Sequence, residues 1–433
     1  MLQSIYNFGK ERFIDSRENI TSFGFLNNVV PVLMGLYIFI NPFPHMTAIK
    51  EICFYLAFFL VGALILFKKI KFSFQIPLFI PFCLFVCWVF VGLFFALDKG
   101  NSIHDFNAHL LRYIMVYFIL INVFSSRKRF MALSRIIIVS SISYCILGIS
   151  YFYFVLGNSW ATRFSYGAAK GLLGYEVSGN SLCALVIFSI LLTLSLFKKG
   201  TFRHDVLLAL CLIPQIVFVF LVQSRGAYIA LFLSLIVFLW KSKKILLAVL
   251  ILLVVITTMS PIKTRIAMDT FVSDYRRTGT MFTILEVVKD FPIMGIGFGN
   301  ETYGKKVDLK IYNNRVPEKY RLRDNLIVAA PHNILLNILV RTGFVGLALF
   351  LSILFVFVRM CWRCARGGED DFVKKWGFCI FSAFLSFFVI GMFEQMFHHV
   401  TELIFYTILA MGSILWRMND NMRDAVTSGI SDR

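Results

Sequence analysis

The sequence predicts an all-α integral membrane protein, a single bundle of about twelve transmembrane helices with one large polar loop subdomain. Three observations predict it. The 433 residues are 58% hydrophobic and only 15% charged, an apolar fraction beyond that of soluble domains. Apolar runs of about 20 residues, the length that crosses a hydrocarbon core, repeat along the chain. Lysines and arginines concentrate in short segments between these runs.

Twelve apolar runs are predicted to be spans. They cover residues 25–43, 52–67, 76–97, 107–124, 132–157, 180–197, 205–222, 226–240, 245–260, 332–358, 377–393 and 401–416. The first run is too long for a cleaved signal peptide, so we expect it to remain as the first span. The predicted organisation is therefore a terminal segment 1–24, spans one to nine in 25–260, a large loop 261–331, spans ten to twelve in 332–416, and a tail 417–433.

The charge distribution predicts the orientation of the bundle. With the N-terminus in the cytoplasm, the inner segments hold 23 lysines and arginines, and the short outer loops hold five. This asymmetry predicts a cytoplasmic N-terminus and tail and an outer, periplasmic position for the large loop. The net charge of +19 lies mostly in short loops between spans, which favours the lipid bilayer over nucleic acid as the partner.

The large outer loop, residues 261–331, is a mixed-charge subdomain with twelve basic and eight acidic residues. Apolar side chains at helical spacing predict an amphipathic helix over 280–289, which Pro292 ends. The glycines at 295 and 297 lack the strand-to-helix context of a dinucleotide fingerprint, so we interpret them as a tight turn.

His332 is the strongest candidate for chemistry. It stands where the polar loop meets a long apolar run, so the imidazole is expected at the membrane surface. The helix N-terminus and nearby arginines disfavour imidazolium, which leaves a neutral base able to accept a proton. The structural alternative is an interfacial histidine that hydrogen-bonds a loop carbonyl. Asn333 follows it directly.

Several arginines are expected on the same outer face. Arg225 lies in a very short turn between two runs, and it either snorkels to the headgroups or holds an anion. Arg276 and Arg277 directly precede the predicted amphipathic helix, so their charge and free backbone N–H groups could bind one phosphate. The alternative is a solvated basic pair. Arg163 and Asn180 bracket another outer loop.

Two arginines fall inside apolar runs, where a charge needs a partner or water. Arg341 lies nine residues after His332, about 13 Å deeper, and is expected to serve packing or a cavity wall. Arg112 is the other. The outer side has few acidic residues: Asp98, Asp105, Glu394 and Glu402.

Motifs for a metal are lacking on this face, which has no HExxH and no Asp-x-Asp pair. The sequence therefore favours chemistry with no metal and no cofactor. A nucleotide-sugar enzyme would need a cytoplasmic site, whereas every candidate is predicted to face outward. We therefore expect a lipid-linked donor.

Three motifs occur in order on the predicted outer face. They are a Ser-Arg-Gly turn at 224–226, an arginine about fifteen residues before Pro-x-x-Gly-x-Gly at 292–297, and His-Asn-x-x-Leu followed by Gly-x-x-Gly at 332–346. The set resembles the bacterial O-antigen ligase and polymerase superfamily.

The resemblance implies an inverting, metal-independent glycosyl transfer at the periplasmic face of the inner membrane. The donor would be a glycan on undecaprenyl diphosphate, and for a ligase the acceptor is lipid A-core. It implies His332 as general base and Arg225 and Arg277 as diphosphate clamps, with Arg276 as the alternative to Arg277. Arg163 would contribute more weakly, and Asn333 and Asn180 would support the site.

Other functions remain open at this point. A polymerase of the same superfamily shares these motifs, and likeness of fold cannot fix the acceptor. A protein O-glycosyltransferase often carries a further outer domain near its C-terminus, which is not expected here. A lipid-linked-glycan transporter would place ionisable residues deep in several spans. The oligomeric state is not predicted.

Overall fold

The computed structural model describes residues 23–43, 45–160, 162–164, 179–197, 202–240, 270–397 and 399–427. Several parts of the predicted organisation lie outside these residues. They are most of the terminal segment 1–24, the greater part of the loop between Arg163 and Asn180, the ninth predicted span at 245–260, the first nine residues of the large loop, and the last six of the tail.

The described residues form helices and no strand. We number the helices α1 Phe23–Ile40, α2 Thr47–Leu66, α3 Phe79–Phe95, α4 Lys99–Val123, α5 Arg127–Val155, α6 Gly179–Leu196, α7 Phe202–Val222, α8 Arg225–Leu239, α9 Thr270–Asp290, α10 Thr302–Lys306, α11 Leu309–Arg315, α12 Ile334–Gly367, α13 Asp371–Gly391 and α14 His399–Thr427. Short 3-10 turns follow α11 at Glu318–Tyr320 and Asp324–Leu326.

Eight of these helices are long and apolar enough to cross a membrane, namely α2, α4, α5, α6, α7, α12, α13 and α14. Three shorter apolar helices, α1, α3 and α8, fall at further predicted spans. The chain is therefore an all-helical, multi-pass membrane protein, as predicted. The total of twelve spans stays a prediction.

The bundle is organised around α13 and α14. Helix α13 packs against α6, α8, α12 and α14, and α14 also packs against α4 and α12. Helices α2 and α7 lie at the periphery, where Phe59 and Leu210 expose large apolar side chains. Since lipid tails are apolar, these side chains suit contact with the bilayer.

Side-chain caps fix the helix starts that matter for the site. The Ser224 hydroxyl accepts a hydrogen bond from the Ala227 N–H at 3.3 Å and begins α8. The Asn333 side chain accepts from the N–H groups of Leu335 and Leu336 at 2.9 and 3.0 Å and begins α12. Such caps satisfy N–H groups that have no partner within the helix.

Helix α9 begins at Thr270, ten residues before the predicted start of the amphipathic helix. The expectation that Arg276 and Arg277 precede this helix was therefore wrong, because both lie within it. The charged side chains of Asp274, Arg276 and Arg277 are exposed and interrupt the apolar spacing on which the prediction rested. The predicted stop is confirmed, since α9 ends at Asp290, just before Phe291 and Pro292.

Helix α12 has a break that the continuous apolar run did not predict. Gly343 has φ 69° and ψ −174°, which separates residues 334–342 from the longer remainder of the helix. The Phe344 N–H donates to the carbonyl of Pro292 at 2.8 Å. The segment after α9 therefore fills the break. The turn lies at 292–294, and residues 295–299, where a tight turn was predicted, form instead a bent segment with positive φ at Gly295 and Gly297.

Replacing Gly343 with alanine should destabilise the protein. A Cβ atom there would lie 2.0 Å from the Ile293 carbonyl oxygen, and its positive φ alone costs a non-glycine residue about 1–2 kcal/mol. We expect a clearly lower melting temperature in detergent. The control is Gly62→Ala in α2, where a Cβ meets nothing within 4 Å. Equal melting temperatures for both variants would contradict the break.

Candidate active site

A single cleft brings together every side chain that the sequence predicted for the site. It has a volume of about 560 Å³ and lies where the starts of α6, α8 and α12 meet α9 and the end of α13. Its lining includes the predicted residues Arg163, Asn180, Arg225, Arg276, Arg277, His332 and Asn333. Side chains that are more than 160 residues apart in the chain are therefore neighbours.

The position of His332 is fixed by the residue that follows it. Asn333 caps α12, and its side-chain amide also donates to the carbonyl of Met392 at 3.2 Å. This contact ties the start of α12 to the end of α13. It brings His332 next to Phe393 and Glu394, which line the same cleft.

The charge state of His332 follows from its surroundings. Burial lowers the pKa of His332 below its ordinary value of 6.5, and the positive charges of Arg276 and Arg277 lower it further. The Glu394 carboxylate opposes them and raises the pKa. The net direction is downward, so the imidazole is neutral near pH 7 and can accept a proton.

Glu394 is held by a chain of hydrogen bonds that ends at Arg163. The Asn180 amide donates to a Glu394 carboxylate oxygen at 2.5 Å, and the Arg163 guanidinium donates to the Asn180 side-chain oxygen at 2.6 Å. Arg163 also donates to the carbonyl of Val222 at 3.0 Å. Arg163 therefore supports the acidic side of the cleft by way of Asn180, although it also lines the cleft itself.

Arg225 is the first residue of α8 and points along the cleft wall. Its guanidinium lies 3.2 Å from the Asp274 carboxylate on α9, and the Arg225 side chain is about a third exposed, at 35%. The next residue, Gly226, packs on Phe393, where an added Cβ would be 3.1 Å from the ring. The small residue lets α8 approach the end of α13 closely.

Arg276 and Arg277 project from α9 on the opposite wall. Both side chains are exposed, and the Arg277 guanidinium carbon lies 5.6 Å from the centre of the Phe393 ring. Because these arginines lie within α9, the N–H groups of a helix start are not available beside them. The contribution of Arg276 and Arg277 to anion binding would therefore come from their guanidinium groups.

The charged groups of the lining are strongly unbalanced. Four arginines and a single carboxylate, Glu394, surround the cleft. Guanidinium groups bind phosphate oxygens in pairs of parallel hydrogen bonds, and a partly enclosed site strengthens such contacts. The cleft can therefore hold a doubly charged anion such as a diphosphate close to a neutral histidine.

Residues 207–351 match the family model described as O-antigen ligase. This match, over about a third of the chain, supports membership of the O-antigen ligase and polymerase superfamily. Membership implies a glycosyltransferase-like enzyme. A search of curated proteins found no match.

The O-antigen ligase match covers most of the cleft lining. It includes Arg225, Arg276, Arg277 and His332, but it ends before the lining residues that follow α13. Arg163, Asn180, Phe393 and Glu394 therefore enter the site on the geometry of this structure.

Sequence reasoning named Glu394 only as an available acid and gave it no role in the site. Glu394 and Glu402 are separated by seven residues, and no local pattern distinguishes them. The structure separates them clearly, since Glu394 lines the cleft and Glu402 is buried against His109. Glu394 was detectable as the acidic residue at the outer end of the eleventh predicted span. Among the described residues, no group of three or more His, Cys, Asp or Glu side chains is arranged so that it could hold a metal ion.

Proposed function

We propose that the protein is an O-antigen ligase, which transfers a glycan from undecaprenyl diphosphate to lipid A-core. The supporting observation is the convergence of a neutral histidine, three arginines on two facing helices and one carboxylate in a single cleft. We further propose that this cleft faces the periplasm from the inner membrane. The excess of lysine and arginine in the opposite loops supports that orientation.

In the proposed reaction, an acceptor hydroxyl attacks the anomeric carbon of the donor from the side opposite the diphosphate. A new glycosidic C–O bond forms as the bond to the diphosphate breaks, so the configuration inverts. The leaving diphosphate takes the electron pair, and Arg225, Arg276 and Arg277 neutralise its growing charge. Charge stabilisation of this kind needs no metal.

The proton of the acceptor hydroxyl goes to His332. A general base must be unprotonated before the reaction, and the lowered pKa of His332 meets that condition. Glu394 lies on the same side of the cleft, and its negative charge favours the imidazolium that forms. Asn180 and Arg163 hold Glu394 in place.

Ligases and polymerases of the superfamily differ in the acceptor that they use. A ligase transfers the glycan to lipid A-core, and a polymerase transfers it to another lipid-linked glycan. The chemistry at the cleft is the same for both enzymes, so the experiment must identify which molecule carries the transferred glycan.

Deleting the gene in its host should leave lipid A-core without long glycan on a lipopolysaccharide gel, while undecaprenyl-linked polymer accumulates. Restoring the wild-type gene should reverse both effects. Cores that carry a single glycan repeat would instead identify a polymerase. An unchanged gel and an unchanged lipid-linked pool would contradict the proposed function.

A further inference from the structure

The break in α12 makes residues 334–342 a separate half-helix. It begins two residues after His332 and ends at Gly343. Residues 292–300, the glycine-rich segment, form backbone hydrogen bonds with its end. The Ile296 N–H donates to the Val340 carbonyl at 2.9 Å, and the Gly297 N–H donates to the Arg341 carbonyl at 3.2 Å. Unsatisfied backbone groups are costly in apolar surroundings, so these bonds stabilise the break.

The Arg341 side chain reinforces the same junction. It is only 3% exposed and donates to the side-chain oxygen of Asn300 at 2.8 Å and to the Phe298 carbonyl. Its guanidinium carbon also lies 4.1 Å from the centre of the Phe298 ring. Arg341 does not line the cleft. Its contacts connect the half-helix to the glycine-rich segment.

Buried acidic residues surround this junction. The Asn300 N–H donates to Asp105 at 2.7 Å, and His109 lies between Asp105 at 3.7 Å and Glu402 at 2.6 Å. Both carboxylates act electrostatically on Arg341. A buried charge without compensation is strongly destabilising, so these groups make the buried guanidinium possible. We call Arg341, Asn300, Asp105, His109 and Glu402 the Arg341 cluster.

The half-helix lines the cleft through Leu336, and α9, which leads into the glycine-rich segment, lines another part of it. The half-helix carries His332 at its start, and the glycine-rich segment continues from α9, which carries Arg276 and Arg277. Farther along, α9 and the half-helix share an apolar contact through Ile284, Val287, Val288, Leu339 and Val340. That contact resists separation, whereas the directional bonds of Arg341 fix how far one element can slide along the other.

We propose that Arg341 is a positioning residue that sets the spacing between His332 and the Arg276–Arg277 pair. This inference rests on the proposed function for its effect on catalysis. Arg341 acts by joining the end of the half-helix to the segment that follows α9. Displacement of a reacting group by about 1 Å can lower a rate about 10²-fold. A shift at this junction that moves His332 relative to the arginines should therefore lower the rate of glycosyl transfer.

The test compares Arg341→Met with Arg112→Met, a matched control. Arg112 also lies in an apolar helix, and its guanidinium donates to Glu51 at 2.7 and 2.6 Å and to Tyr55 at 3.2 Å, residues outside the Arg341 cluster. In wild-type protein in lipid nanodiscs, hydrogen exchange at Ile296, Gly297 and Phe344 should be slow. Arg341→Met should speed it by about tenfold or more at these amides, and Arg112→Met should not.

The kinetic readout separates positioning from general damage. We expect Arg341→Met to lower kcat about 10–100-fold and to change the KM for the lipid-linked donor less than about threefold, because the cleft arginines remain. Arg341→Lys should recover part of kcat, since lysine keeps the charge but loses the paired geometry. If Arg341→Met fails to fold, Asn300→Ala removes one contact and should show the same pattern more weakly.

Exchange that rises equally across the protein, or kcat that is unchanged while exchange rises at the junction, would overturn the inference. Hydrogen exchange requires no turnover. If the wild-type protein had no transferase activity, the proposed function would be contradicted. Faster exchange confined to the junction in Arg341→Met would still support the structural link between the half-helix and the glycine-rich segment.

Discussion

Replacing His332 with alanine should lower the rate of glycosyl transfer by about 10²–10⁴-fold while the protein remains in the membrane. The imidazole is the group in the cleft that is neutral near pH 7, adjacent to the arginines, and able to take the proton of an acceptor hydroxyl. Because Asn333 forms the cap of α12, the helix start should survive the substitution. The measurement is transfer by purified, reconstituted enzyme at matched protein amounts.

The matched control for this prediction is His204→Ala. His204 is near the start of α7, 45% of its side chain is exposed, and it does not line the cleft. It should transfer glycan at the wild-type rate. Near-normal transfer by a well-folded His332→Ala protein would contradict the role of His332 as general base.

The pH dependence of transfer follows from the same residue. A general base works in its unprotonated form, so kcat/KM should rise with pH through an apparent pKa below 6.5 and level off near neutrality. Glu394→Gln removes the charge that favours imidazolium, and the rise should move to lower pH. Arg276→Gln removes a charge that disfavours imidazolium, and the rise should move to higher pH.

The second large effect is expected at the cleft arginines. Arg225→Gln should lower kcat about 10²–10³-fold, because the diphosphate gains charge as it leaves and a fixed guanidinium stabilises that charge most in the transition state. Arg276→Gln and Arg277→Gln should each be impaired, and the double variant more than either one. The larger single loss identifies which of the two contacts the diphosphate.

Two further variants make this prediction specific. Arg163→Gln should cost less in kcat and should shift the pH profile, since Arg163 acts on Glu394 by way of Asn180. Lys305→Gln removes an exposed positive charge that pairs with Glu301 outside the cleft, and it should have no effect. If Lys305→Gln reduced transfer as much as Arg225→Gln, the general positive charge of the protein would explain the result instead.

The sequence predicted the helical membrane bundle and named the candidate residues that line the cleft, because both leave local signals. An apolar run of sufficient length predicts a span wherever it occurs, and His332 and Arg225 stand at the ends of such runs. The first half of α9 left no such signal. The exposed charges of Asp274, Arg276 and Arg277 interrupt the apolar periodicity there.

The break at Gly343 and the Arg341 cluster could not be predicted for a different reason. The run that forms α12 is apolar on both sides of Gly343, so its composition does not show the break. Asp105 and His109 are one helical turn apart in α4, but Glu402 is almost 300 residues away, and only the packing of α4 against α14 brings it to His109. The sequence did indicate that Arg341 serves structure and not the reaction, and its buried contacts agree with that interpretation.

The central claim is that the His332 cleft transfers a glycan from a lipid diphosphate. Its most direct test supplies reconstituted enzyme, in the presence of EDTA, with undecaprenyl-diphosphate glycan and lipid A-core, and measures both the released undecaprenyl diphosphate and the anomeric configuration of the product. We expect equal amounts of released lipid and product, an inverted linkage, and neither product from His332→Ala. Transfer with retained configuration, or equal transfer by wild type and His332→Ala, would contradict the claim.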